Sequence, residues 1–109
     1  MDIKKTLHMN VLFSYYKPLL TDKQQEYIQL YYSDDLSLGE IAEIYKVSRQ
    51  AVYDTINRTE KTMATYEEKL HIISDTIKQA ERVETLKEYA LEHYPDDADL
   101  THLINQLTK

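Results

Sequence analysis

Between positions 48 and 61 the chain carries Ser48, Arg49, Gln50, Tyr53, Asn57, Arg58 and Lys61, all able to donate hydrogen bonds, with the acceptor Asp54 among them. On a helix of about 3.6 residues per turn these positions look outward, while Val52 and Ile56, four apart, share the buried edge. Guanidinium and carboxamide groups match the hydrogen-bonding edges of bases, and lysine and arginine grip phosphate. Tyr53 either stacks on a base or sugar or covers the helix surface. The chemistry on offer is recognition, with no nucleophile set beside a base.

Two short helices must hold that face. Ser48 is placed to cap the second, with Arg49 and Gln50 in its first turn. Upstream, Ser37 and Glu40 have capping-box spacing and open the first, which turns Ile41, Ala42 and Tyr45 toward a core. Ala42 is the small residue needed where the two helices meet, and Val47 is the apolar residue just after the turn. The stretch "LSLGEIAEIYKVSRQAVYDTINRTEK" therefore reads as a helix-turn-helix. Lys46 departs from the pattern, because a glycine there would enter the left-handed turn without strain.

The remaining chain also reads as helix. A first helix is expected over residues 3–17, stopped by Pro18, with Leu7, Val11, Leu12, Phe13 and Tyr16 as its apolar stripe. Thr21 and Gln24 form a capping box for a second helix whose inward face is Tyr27, Ile28, Leu30 and Tyr31, and Ser33-Asp34-Asp35 ends it. Packing is the expected use of Tyr15, Tyr16, Tyr27, Tyr31 and Tyr45. Beyond Asn57 no Gly or Pro occurs until Pro95. Thr65 and Glu68 offer another capping box, which places a break near Ala64. Met63, Tyr66, Leu70, Ile73 and Ile77, then Ala80, alternate by three and four like a coiled-coil seam. Val83, Leu86 and Ala90 continue it with a slip, and Leu100, Leu103, Ile104 and Leu107 suggest a short final helix after Pro95-Asp96-Asp97. The seam can lie across the first four helices or join two chains. The expected organisation is a helix-turn-helix domain over residues 1–64 and a helical extension over 65–109 that serves dimerisation.

Composition narrows the classes. Of 109 residues, 42% are hydrophobic and 29% charged, which suits a folded chain, while one Gly and two Pro leave little turn chemistry for hairpins. The fold class is all-α. Without cysteine there are no disulfides and no thiolate metal sites, as fits a reducing cytoplasm. The apolar residues near the N-terminus are interrupted by His8, Asn10 and Ser14, so no signal peptide or membrane span is expected. His8, His71, His93 and His102 share no metal-ligand spacing, and "DDADL" lacks the glycine and closing glutamate of a calcium loop. A lone glycine, Gly39, excludes the usual phosphate-binding loop. No enzyme, cofactor or metal is expected.

The run "LLTDKQQEYIQLYYSDDLSLGEIAEIYKVSRQAVYDTINR" resembles region four of bacterial sigma factors, a four-helix piece that contacts promoter −35 elements and has no wing. The longer run from "MNVLFSYYKPLLT" through "SRQAVYDTINRTEK" and "YEEKLH" resembles the YlxM family of small bacterial helix-turn-helix proteins. That resemblance, carried by residues 9–71, implies DNA binding. The genes of that family lie beside those for signal recognition particle components, which implies a regulatory or accessory role in that pathway.

Charge pulls against a simple DNA reader. The chain holds 13 Lys+Arg against 19 Asp+Glu, a net −6. Residues 46–65 hold four bases and two acids, whereas residues 21–45 hold six acids and one base. Only Lys46, Arg49, Arg58 and Lys61 are candidate phosphate contacts, and Asp34, Asp35, Glu40 and Glu43 would repel a second strand. Two readings stay open. One is a DNA-binding regulator, a homodimer doubling its contacts. The other is an adaptor for the protein or RNA of the signal recognition particle that has given up DNA.

Overall fold

The computed structural model describes residues 2–108. Asp2 caps α1 (Ile3–Tyr16), its carboxylate accepting from the Lys4 N–H at 3.0 Å. Pro18 sits in a single 3-10 turn, Lys17–Leu19, that ends the helix. The capping box on Thr21 and Gln24 opens α2 (Asp22–Ile28) with both reciprocal bonds made. The second box, on Ser37 and Glu40, opens α3 (Leu38–Tyr45) in the same way. Ser48 caps α4 (Arg49–Leu70), accepting from Ala51 N–H at 3.0 Å. Then come α5 (Ile72–His93) and α6 (Ala98–Asn105), the latter capped by Asp97. The described residues contain helices and no strand, so the fold is all-α.

The chain divides into two compact units, one ending at His71 and one beginning at Ile72. In the first, α4 packs against α1, α2 and α3. Its interior is built on Leu12, Tyr16, Tyr27, Ile28, Ile41, Val52 and Met63, all essentially inaccessible. Burying side chains of this size stabilises by roughly 1.5–3 kcal/mol each. In the second, α5 and α6 pair around Val83, Ala90 and Ile104, with Leu100 beside them.

Four expectations differ from the structure. The stripe on α1 is Met9, Leu12, Phe13 and Tyr16, whereas Leu7 and Val11 are exposed, and so is Tyr15. Beyond Tyr27 of α2, the next inward aromatic is Tyr32, with Leu30 and Tyr31 only half-buried. A π turn over Gln29–Ser33, closed by Asp34 N–H to the Gln29 carbonyl at 3.0 Å, adds a residue to the last turn and brings Tyr32 round toward the line of Tyr27 and Ile28.

The third difference is the break. No kink occurs at Ala64, and α4 runs through the expected boundary to His71, whose left-handed backbone (φ 55°, ψ 25°) stops it. An extended Thr65 would gain a cap worth about 1 kcal/mol but would release the far end of α4 from α1. That end holds a Tyr66 ring 5.9 Å from that of Tyr16, and Glu67 accepting from the Tyr16 hydroxyl. Continuity wins on magnitude. The fourth concerns the seam: of its two readings, packing across the first helices holds for Met63, which is 0% exposed inside its own unit and so is not available as the dimer contact also expected of it. Tyr66 is half-buried, Ile73 half-buried, and Leu70 and Ile77 are exposed. Because α4 ends at Leu70, the three-and-four spacing is not carried by one helix.

Candidate nucleic-acid interface

The turn between α3 and α4 sets the aim of the second helix. Lys46 takes the left-handed conformation (φ 55°, ψ 46°), and the Val47 N–H returns to the Ala42 carbonyl at 3.1 Å. A lysine therefore does what a glycine would do without strain, and its cation stands at the corner of the motif. Ala42 is buried at the crossing as expected, while Val47 is 37% exposed, only partly covered.

From that corner α4 presents two flanks. On one, Arg49, Gln50 and Tyr53 share a cleft with Leu38, the first residue of α3. Tyr53, 49% exposed, also borders a smaller cleft of about 80 Å³ with Asn57, Lys5, Tyr31 and Glu60. On the other flank Arg58 and Lys61 share a groove with Gln24 from α2 and with Thr62, Thr65 and Tyr66. Val52 and Ile56 are buried behind both. The outward set is thus brought onto one helix face, with Asn57 half-buried at its margin.

Some of these side chains already have local partners. The Ser48 hydroxyl accepts the Ala51 N–H, so its cap role is filled and its own proton is what it can offer a ligand. Gln50 Nε2 donates to Asp54 Oδ1 at 3.0 Å, and Arg58 Nε reaches the Asp54 carbonyl at 3.4 Å. Behind the helix, Glu60 is nearly buried, accepts from the Tyr32 hydroxyl, and faces Lys5 at 3.6 Å. Burial, then the bond to Glu60, pushes the Tyr32 phenol well above its ordinary range. At the opening of α3 the Ser37 backbone and side-chain bonds hold the Glu40 carboxyl below the usual range. A carboxylate therefore sits two residues from Leu38, which lines the Arg49 cleft.

Gln24, Lys5, Leu38, Thr62 and Thr65 were not among the expected site residues. Thr62 and Thr65, four and seven after Arg58, were readable from helical spacing. Gln24, Lys5 and Leu38 arrive from other helices and leave no mark in the α4 sequence. Among the described residues no group of His, Asp or Glu could hold a metal ion, and no helix is long and apolar enough to cross a membrane.

A short helix, a left-handed corner and a capped second helix with a polar outer face define a helix-turn-helix protein. The chain belongs to the UPF0122 family, described as "Putative helix-turn-helix protein, YlxM / p13 like", which matches residues 3–105. It is 54% identical to the UPF0122 protein of Lacticaseibacillus casei over 107 residues, 98% of this chain and 95% of that one. The UPF0122 protein of Limosilactobacillus reuteri is 51% identical over 98% of this chain and 95% of its own length. That of Streptococcus pyogenes is 53% identical over 99% and 92%. The match extends through α5 and into α6, well past the residues that carry the resemblance in the sequence.

Proposed function

We propose that this chain is a DNA-binding regulator that lays α4 in a major groove and acts by binding rather than catalysis. The observation that carries the reading is the pair of flanks: Arg49, Gln50 and Tyr53 beside the start of α3, and Arg58 and Lys61 beside Gln24. Each flank offers a cation where a phosphate strand would run, with exposed polar groups between them for base edges. Resemblance to sigma region four supports that docking. Resemblance to the YlxM family supports a place in the signal recognition particle pathway, in the cytoplasm. Exposed Leu70 and Ile77 support a homodimer, which would double the few phosphate contacts of one chain.

Fluorescence anisotropy with labelled duplex at about 50 and 200 mM salt tests this. Four phosphate contacts on one chain, from Lys46, Arg49, Arg58 and Lys61, correspond to a loss of about 100-fold in affinity across that range, and the doubled set of a homodimer to about 10,000-fold. Replacing Arg49 and Gln50 by Ala should remove sequence preference, whereas Lys61→Ala should weaken all sequences alike. Parent-like binding by both variants refutes the assignment of the face.

A second reading is favoured by charge. With six acids and one base in residues 21–45, and Asp54 on the outward face, the motif can serve as an acidic adaptor for a basic ribonucleoprotein. Weak duplex binding together with tight binding to signal recognition particle protein or RNA in the same assay would establish it.

A further inference from the structure

The bond between Gln50 and Asp54 decides which way the Gln50 amide points. A carboxylate can only accept, so the amide nitrogen must lie toward Asp54 and the carbonyl oxygen away from it. One N–H is used. Gln50 is left with one N–H and Oε1, side by side when Asp54 takes the N–H that points away from Oε1, and Asp54 is left with Oδ2 as an acceptor. Both residues are exposed and stand one turn apart on the outward side of α4, Gln50 on the flank that holds Arg49 and Tyr53.

The remaining groups have defined complements among base edges. One N–H beside one acceptor matches adenine, which shows N7 and the N6 amino group in the major groove. A carboxylate oxygen matches the N4 amino group of cytosine and is repelled by guanine O6 and thymine O4. The bonded N–H lies in the Gln50 amide plane, so Oδ1 is held 3.0 Å to the side of the amide, and a turn of the carboxylate sets Oδ2 above or below that plane, toward the next base pair.

We infer that Gln50 and Asp54 form one reading unit that selects an adenine and a cytosine on neighbouring base pairs. This rests on the DNA-binding reading above. It also assigns a use to the acid on the recognition helix. Asp54 weakens the grip on phosphate generally and in return excludes the bases that present acceptors at its position.

The test is selection of duplexes from a random library by the full chain and by Asp54→Asn and Asp54→Ala, with anisotropy on the selected sequences. The parent should prefer the adenine–cytosine step by about tenfold or more, the discrimination of a well-made base contact. In Asp54→Asn the new amide still accepts from Gln50 through its oxygen and turns an N–H2 outward. Adenine should be kept, cytosine exchanged for guanine or thymine, and all duplexes bound more tightly. Asp54→Ala should lose the cytosine and weaken the adenine. A helix-stabilising role alone would move none of these preferences. Unchanged preferences in both variants, or parent binding without base preference, overturn the inference and leave the DNA-binding reading standing. No duplex binding by any of the three overturns that reading itself.

Discussion

Tyr32→Phe isolates the polar contact that ties the π turn to α4. The Tyr32 hydroxyl donates to Glu60, whose side chain is 11% exposed, and Lys5, 53% exposed, is the ion-pair partner at 3.6 Å. A hydrogen bond to a charged group contributes about 1.5–3 kcal/mol, and leaving its buried partner short of a donor costs a similar amount. Because Lys5 still faces Glu60, about 2 kcal/mol is the expected loss. For a unit of this size that lowers the melting temperature by roughly 10 °C. Tyr45→Phe is the control. Its hydroxyl donates to Glu26 at 2.8 Å between exposed groups, so about 0.5–1 kcal/mol should be lost. Urea unfolding followed by circular dichroism measures both, and an unchanged m-value keeps the comparison on stability. Pairing Tyr32→Phe with Glu60→Met removes both partners, so the double variant should lose less than the sum of the singles. Equal losses for Tyr32→Phe and Tyr45→Phe, or strict additivity in the cycle, would refute the contact's role.

Three further outcomes are expected. Lys46→Gly relieves a left-handed residue, and after the greater freedom of glycine in the unfolded chain it should gain about 0.5–1 kcal/mol in urea midpoint measurements. The same variant should bind duplex with a shallower salt dependence by about one contact. The Tyr45 phenol is pushed up to about 12, chiefly by its bond to Glu26, and Tyr32 is raised further by burial. Raised values in the folded chain mean that this stability is whole below about pH 10, where free tyrosine ionises, and is lost as pH rises beyond it. Denaturation at stepped alkaline pH should show the decline in the parent and a shallower one in Tyr32→Phe/Tyr45→Phe. Leu70→Glu should convert a dimer to monomers by light scattering, and an unchanged dimer mass would place the interface elsewhere.

What the sequence determined by itself was local. Thr21 with Gln24, Ser37 with Glu40, and Ser48 each act on backbone N–H groups within three residues, so their spacing suffices to mark three helix starts. The outward run from Arg49 to Lys61 was legible for the same reason, since helical period alone separates it from Val52 and Ile56. Tertiary structure decided which faces are covered. Leu7 and Val11 are as apolar as Leu12 and Phe13, yet only the latter pair meets the core. The π turn that turns Tyr32 inward, and the helix that continues past Thr65, follow from packing on α1 and α4. The contacts of Tyr66 and Glu67 with Tyr16 outweigh a cap worth about 1 kcal/mol. The two flanks of the candidate interface are likewise tertiary, because Leu38 and Gln24 come from α3 and α2 to meet α4. A cap is a bond between near neighbours in the chain, whereas a groove exists only once separate helices have been brought together.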